Sequence, residues 1–342
     1  NTFLRLPPRE IGRVALPDLE PQGVALAANR RVVVAGGPGG VAVVDLAGLP
    51  QPSVLREIKF PGWRTLAVAT AGSLAFVSNG RSLEGELVVL DVETGAVVGR
   101  VTLPGRSMQA LKLDGDHVYG LSARTLEVFS LEPSPNHLAT TAIGPSQVFG
   151  SGLTVARSVA VLTEFSIFDE LKFRVFDLSN PAAPTQSAEA DPSLNAFNSR
   201  ALTLDPAGNL LTHSLGPNGS AFLNVFDLRD PTQPTLTNSV ALGGSFGSRS
   251  PSALGVYGGQ AYSVSERDLQ VVNYVPIDSA GVAPTLSLSA SFSLASPQAE
   301  EGQLVRVTAT ANDDVQVRQV DWFLDGQKVL TQGNVPFDFR FQ

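Results

Sequence analysis

Short apolar runs alternate with turn signals along most of the chain, and one arrangement of them returns six times. Each repeat has three apolar strands in succession, and the third ends in an aliphatic residue or Phe followed by Asp or a substitute. These third-strand ends are Val44-Asp45-Leu46, Leu90-Asp91-Val92, Phe129-Ser130-Leu131, Phe176-Asp177-Leu178, Phe226-Asp227-Leu228 and Val272-Asn273-Tyr274. They recur roughly every 40–50 residues, a period that with strand-only content is typical of the blades of a β-propeller.

The turn after the first strand of each repeat carries its own signal. Gly follows in most repeats, as in Asp114-Gly115, and supplies the positive φ that a two-residue hairpin needs. The turn Ala156-Arg157-Ser158 contains no Gly. A fourth, outer strand is expected after the third-strand turn of each complete repeat.

The two ends of this repeat array predict a closed ring. The sixth repeat stops after its third strand, whereas residues 11–17 read as an additional fourth strand. If that N-terminal strand completes the last blade, the ring has no open edges. The sequence therefore predicts an all-β protein with a six-bladed β-propeller over residues 1–277, closed by its N-terminal strand.

The repeats resemble known families of bacterial surface propellers. The third strand and turn of the fourth repeat, residues 175–184, resemble the LVIVD-repeat proteins, and residues 90–95 resemble the related YVTN-type propellers. The resemblance spans roughly residues 11–278 at repeat level. It implies a secreted or cell-surface location in bacteria. Ser130 and Asn273 depart from the pattern, since Asp is usual there.

A different pattern begins near residue 280. Residues 278–284 have the composition of a linker, and residues 285–342 read as strands that resemble a bacterial Ig-like β-sandwich with Trp322 as its core aromatic residue. We expect this Ig-like domain to be incomplete and the chain to be a fragment that continues as Ig-like modules. An edge that lacks strands there is expected to accept a strand from a neighbouring molecule.

Composition excludes several classes of function. The 342 residues have a formal net charge of −8 and no Cys, which disfavours nucleic-acid binding and rules out disulfides, thiolate catalysis and Cys-ligated zinc. The longest apolar runs are too short for a transmembrane helix, so no membrane insertion is expected in this segment.

The polar residues offer few catalytic patterns. The four anchor aspartates, Asp45, Asp91, Asp177 and Asp227, are interpreted either as a ring of carboxylates or, preferably, as caps that accept backbone N–H groups of the next turn. The three histidines are not expected to converge, and no nucleophile motif of the Gly-x-Ser-x-Gly type occurs.

One set of loops gathers aromatic residues and Arg, the types enriched at binding hot spots. These loops join fourth strands to first strands and second strands to third strands. The predicted binding face consists of Trp63, Arg64, Arg81, Arg106, Phe149, Phe165, Phe168, Phe197, Arg200, Phe246 and Arg249, with Met108, Glu84, Glu170, Asn198 and Asn218 beside them. The alternative is that these Phe residues plug the channel and the Arg residues are solvated.

No cofactor is predicted, although Ca²⁺ is conceivable where carboxylates gather. The candidate ligands are Glu164 and Asp169 in the longest loop, and Asp313 and Asp314 in the Ig-like part.

We expect a non-catalytic secreted or cell-surface protein, either an adhesin or a subunit of a surface layer or filament. The propeller would be a head that binds a protein, a glycan or another copy of the chain, and the Ig-like modules would be its stalk. The alternative is a propeller hydrolase or lactonase with a metal in the central channel.

Overall fold

The computed structural model describes residues 14–341 except for 17, 21–22, 28–30, 39, 48–50, 82–83, 145–147, 167–170, 191–201, 216–220, 243–252, 258, 265–268, 275–280, 292–304 and 334. Its elements are all β-strands, as predicted. Within these ranges no helix is long and apolar enough to cross a membrane. The chain divides into two compact units, of which unit one comprises residues 1–108 and 133–135, and unit two residues 109–132 and 136–342.

Five antiparallel sheets of four strands each follow one another along the described chain. The strands of sheets one and two are β1 (Gly23–Ala27), β2 (Arg31–Gly36), β3 (Gly40–Asp45), β4 (Ser53–Ile58), β5 (Arg64–Ala71), β6 (Leu74–Arg81), β7 (Glu84–Asp91) and β8 (Val97–Pro104). Those of sheet three are β9 (Met108–Asp114), β10 (His117–Ser122), β11 (Thr125–Ser130) and β12 (His137–Ala142). Those of sheets four and five are β13 (Val148–Ala156), β14 (Val159–Ser166), β15 (Leu171–Asp177), β16 (Thr185–Ala190), β17 (Leu202–Leu204), β18 (Asn209–Leu215), β19 (Ala221–Asp227) and β20 (Thr235–Leu242).

A sixth sheet has three described strands, β21 (Ala253–Tyr257), β22 (Gln260–Val264) and β23 (Leu269–Asn273). In all six sheets each strand pairs with its neighbour in sequence, as in the blades of a propeller. The described part of the predicted closing strand, residues 14–16, is not in a strand, and its remaining residues lie outside the described ranges. Ring closure, the number of blades and the boundary at residue 277 therefore stay predictions.

A β-bulge recurs at one repeat position in all five four-stranded sheets. The register between the third and fourth strands shifts at the two residues that precede the anchor position, for example at Val89/Leu90 and Val225/Phe226. A bulge bends a strand and increases its twist. The repeat seen in the sequence is therefore also a repeat of backbone geometry.

The anchor aspartates cap their turns, as predicted. Asp177 Oδ1 accepts the Ser179 N–H at 2.8 Å, and Asp227 Oδ1 accepts the Arg229 N–H at 2.9 Å. Asp45 and Asp91 accept backbone N–H groups in the same way. Ser130 keeps the role, since its Oγ accepts the Asn136 N–H at 2.8 Å.

Apolar side chains fill the space between consecutive sheets. Sheets one and two share a core that includes Val33, Val77 and Val88. Further cores join sheet three to four, four to five and five to six. Sheets four and five have such a neighbour on both faces, which explains why their inner strands read as nearly continuous apolar runs.

The C-terminal part of unit two forms two small sheets. One contains β24 (Thr285–Ala290), β25 (Val305–Asn312) and β28 (Asp338–Phe341), and the other contains β26 (Val320–Leu324) and β27 (Gln327–Gln332). Trp322 is buried in the core between them, as predicted, and its indole N–H donates to Gln332 Oε1 at 2.7 Å. Its strand is not central, however, because β26 pairs only with β27 among the described strands.

Candidate functional site

Trp63 and Arg81, both from the predicted binding face, meet in unit one. Trp63 precedes β5 and packs against the core of sheets one and two, while the Arg81 guanidinium lies 4.6 Å from the centre of its ring. Arg81 ends β6 and pairs across the turn with Glu84, the first residue of β7, at 2.6 Å. A cation held over an indole ring is a favourable contact at exposed sites. Trp63, Arg81 and Glu84 are therefore held together by a cation–π contact and an ion pair, and we call them the Trp63 cluster.

Ion pairs flank this cluster in the same unit. Arg64 opens β5 and pairs with Glu20 at 3.0 Å, and Lys59 pairs with Asp18 at 3.3 Å, all with more than half of the side chain exposed. Exposed pairs contribute little to stability. Arg106 lies half-buried in the connection between β8 and β9. Side chains of both charges are therefore exposed in this part of unit one.

Several of the predicted loop residues lie in strands instead. Met108 begins β9 and is buried, with its carbonyl accepting the Ser78 hydroxyl at 2.7 Å, so it belongs to the core. Phe149 and Phe165 are paired opposite one another on β13 and β14, because these two strands extend further than the sequence pattern indicated. Glu164 also lies in β14, opposite Lys172 of β15.

The other predicted residues of the face fall outside the described ranges. They are Phe168, Asp169, Glu170, Phe197, Asn198, Arg200, Asn218, Phe246 and Arg249.

Sheet two contains a buried polar ladder that the sequence pattern did not reveal. Asn79 Nδ2 donates to Glu86 Oε1 at 2.9 Å, and the Thr65 hydroxyl donates to Asn79 Oδ1 at 2.9 Å. Arg100 completes the line across all four strands by donating to Glu86 Oε2 at 2.8 Å. A fully satisfied network of this kind fixes strand register.

Sheet three holds a similar carboxylate without solvent exposure. Glu127 accepts from Thr125 and from Thr140 and contacts His137 Nε2 at 2.9 Å. Both Thr140 and Glu127 approach the same ring nitrogen, so the arrangement lacks the two-sided relay of a catalytic His.

Lys112 is a second unusual charge of sheet three, on its first strand. Desolvation by the surrounding protein lowers the pKa of its ammonium group, although the side chain keeps access to solvent. A lysine with lowered pKa is a nucleophile candidate only where a substrate site adjoins it.

Three clefts in unit two adjoin Ala207 and Arg229, with volumes of about 520, 240 and 200 Å³. Asp205, whose side chain has no solvent exposure, lines the 240 Å³ cleft. Asp205 Oδ2 accepts the Tyr274 hydroxyl at 3.0 Å and Gln316 Nε2 at 3.2 Å. Burial raises the pKa of Asp205, and the hydrogen bonds from Asn209 and Tyr274 oppose that shift.

The carboxylates along the 520 Å³ cleft do not form a metal centre. Asp313 uses Oδ1 to accept the N–H groups of Val315 and Gln316, at 3.0 and 2.9 Å, and Asp314 is exposed. Among the residues that the structure describes, no three His, Asp or Glu side chains converge as metal ligands.

Known proteins resemble the two parts of the chain separately. Residues 284–342 match the family model of the bacterial Ig domain. Hydrazine synthase of Kuenenia stuttgartiensis is similar in structure, with a TM-score of 0.59, 13% identity and coverage of 74% of this chain and 83% of that chain. The WD40 β-propeller domain of Doa1 has a TM-score of 0.53, 12% identity and coverage of 73% and 76%. No curated protein sequence matches the chain.

These similarities define the fold class of the chain. The chain has a β-propeller-like fold of four-stranded antiparallel sheets followed by a bacterial Ig domain. Identities this low carry information about fold alone, so the function has to be argued from the chain's own residues.

Proposed function

We propose that this chain is a non-catalytic interaction or structural protein, secreted or displayed on the bacterial cell surface. Its propeller is the binding head, six-bladed, closed by the N-terminal strand and of the LVIVD/YVTN type. The Ig-like modules are the stalk. Adhesion, or assembly into a surface layer or filament, is the role of such a protein. The bacterial Ig domain supports a surface-type location.

The Trp63 cluster is the observation that carries the proposal. Trp and Arg are the residue types that dominate the energy of protein interfaces. The cation–π contact with Trp63 and the ion pair with Glu84 hold the Arg81 side chain in place before a partner arrives, which reduces the entropy lost on binding. The exposed side chains of both charges in the same unit favour a protein surface that also carries both charges as the partner.

A binding screen with the full chain tests this role. The probes are an array of bacterial and host glycans, extracellular-matrix proteins and the chain itself, with affinity measured by surface plasmon resonance. We expect Arg81→Ala and Trp63→Ala to weaken binding of the selected partner about 30-fold. Trp63→Phe keeps an aromatic ring and should lose less, and Arg318→Ala, an exposed arginine of the Ig-like domain, should lose nothing.

Two results would overturn the proposal. Binding that Trp63→Ala and Arg81→Ala leave intact would remove the cluster from the interface. Turnover of ester or lactone substrates that EDTA abolishes would show that the protein is a metal-dependent hydrolase.

A further inference from the structure

The turn between β13 and β14 has a strained backbone, because it contains no Gly although its two central residues have positive φ. Ala156 pairs with Val159, so Arg157 and Ser158 are the two turn residues, with φ values of 56° and 60°. This conformation normally requires Gly or Asn, and a non-Gly residue held there persists only when the surrounding structure imposes it. We therefore expect contacts from other segments to hold Arg157 and Ser158 in this conformation.

Three other segments of unit two make such contacts with this turn. The Ser158 N–H donates to Asp114 Oδ2 of sheet three at 2.7 Å. The Arg157 guanidinium donates from Nη1 to the Pro206 carbonyl of sheet five at 2.9 Å, and from Nη2 to Asn312 Oδ1 of the Ig-like domain at 2.9 Å. One side chain thus joins sheets four and five and the Ig-like domain.

Further polar contacts join the Ig-like domain to the turns between the first and second strands of sheets three and five. Gln316 Nε2 lies 3.2 Å from Asp205 Oδ2 and 3.1 Å from the Tyr274 hydroxyl oxygen, and all three side chains are buried. On the side of sheet three, Arg306 pairs with Asp116 at 3.1 Å and Arg340 Nη2 donates to the Gly115 carbonyl at 3.3 Å.

An apolar contact accompanies these hydrogen bonds. Val335 of the Ig-like domain packs against the core that sheets four and five share. Val335 is half-buried and packs against the core of the Ig-like domain as well, so it links the two cores, and such a link favours common rather than independent unfolding.

We propose that Arg157 fixes the Ig-like domain onto the turns that join the first and second strands of sheets three to five. As a result, these sheets and the domain unfold together. The backbone strain at Arg157 is maintained because the guanidinium makes contacts that Gly or Asn at this position would lose. The inference concerns unit two and does not depend on the Trp63 cluster or on its partner.

Trp322 gives a direct readout, because the chain has only two Trp residues. In a Trp63→Phe background, Trp322 fluorescence reports the Ig-like domain, and far-UV circular dichroism reports the sheets. With Arg157 present, we expect the Trp322 transition to coincide with a transition of the far-UV signal on heating the full chain. With Arg157→Asn, which suits the turn but loses the bridge, the Trp322 midpoint should fall about 5 °C below that of the sheets.

Two more variants separate the bridge from the turn. Asn312→Ala removes the partner of Arg157 in the Ig-like domain without touching the strained turn, and it should separate the two transitions as Arg157→Asn does. Arg318→Asn removes an exposed charge from the same domain and should leave them coincident. If Arg157→Asn raises both midpoints together and Asn312→Ala changes neither, Arg157 is a strained turn residue only and the proposal is wrong.

Discussion

Two kinds of turn lie at the same end of each sheet, and they are stabilised in different ways. The outer turn joins the third and fourth strands, and the inner turn joins the first and second. In the outer turn after β15, Asp177 accepts the N–H of Ser179, two residues away. In the inner turns, Asp205 also makes local bonds, but Asp114 and Asp205 add bonds to distant segments, to Ser158 and to Gln316.

The same residue type therefore has opposite properties at the two positions. A backbone hydrogen bond from Ser179 lowers the pKa of Asp177, which remains at the surface, whereas burial raises the pKa of Asp205. The difference teaches that the cap of Asp177 depends on residues of its own turn, whereas the bonds of Asp114 and Asp205 depend also on a neighbouring sheet or on the Ig-like domain.

The largest expected effect comes from removing the buried carboxylate of an inner turn. Asp205 accepts five hydrogen bonds, from the N–H groups of Ala207 and Asn209 and from the side chains of Asn209, Tyr274 and Gln316. Asp205→Ala removes the acceptor of all five bonds, including those from the buried Tyr274 and Gln316 side chains, and should lower the free energy of unfolding by about 3 kcal/mol, measured by urea denaturation. A loss no greater than that of Asp177→Ala would contradict the distinction between the turns.

An intermediate effect is expected at Gly208, in the same inner turn. Its φ is +88°, and a Cβ there would lie in ordinary contact 3.5 Å from Arg229 Cγ. Gly208→Ala should therefore cost only the backbone strain, about 1–2 kcal/mol. Gly255 of β21 is the matched control, because its surroundings are open and its φ is not positive, so Gly255→Ala should be neutral or stabilising.

A smaller effect is expected in an outer turn. Asp177→Ala removes one local hydrogen bond at the surface and should cost about 1 kcal/mol. Asp177→Asn keeps an oxygen acceptor for the Ser179 N–H and should cost less. Equal losses from the two variants would mean that the negative charge, and not the cap, stabilises the turn.

The smallest effect is a difference in pH dependence, and its sign separates the two aspartates. Since the pKa of Asp177 is depressed by folding, its stabilisation is present above the unfolded value of about 3.9 and is lost as the pH falls through the folded value. The pKa of Asp205 is raised by folding. Between its unfolded and its folded pKa the folded state therefore binds more protons, and the free energy of unfolding decreases as the pH rises through that range.

Chemical denaturation between pH 7 and pH 3 checks both signs. The stability difference between the unmodified chain and Asp177→Asn should shrink toward pH 3. The corresponding difference for Asp205→Asn should instead move in favour of the unmodified chain as the pH falls. A common direction for both variants would refute the contrast.

Much of the fold was predictable because it follows from local rules. Alternating apolar residues identified the strands, and the Asp after each third strand identified its cap, since an Asx turn needs only residues two or three positions away. The recurring bulge before the anchor left no comparable signal, because it depends on how the fourth strand pairs with the third.

The candidate site was predictable only in part. Trp63 and Arg81 were selected by residue type and loop position, and they do meet. Met108 was selected in the same way but is buried in the core, although Arg64, which also begins a strand, is exposed. The ladder of Asn79 and Glu86 was missed because charged residues within strands carry no mark of burial until the neighbouring strands are placed.

The sequence by itself determined the β-strand repeats, the capped outer turns and the change to an Ig-like pattern, since each of these depends on residues close in the chain. Only the tertiary structure decided the environments of Asp205, Tyr274 and Gln316, which lie up to 111 positions apart and are brought together by packing. It also explained the missing Gly at Arg157, whose strained backbone is maintained by partners in other segments. Local hydrogen bonds are encoded residue by residue, whereas burial and long-range bridges exist only once the chain has folded.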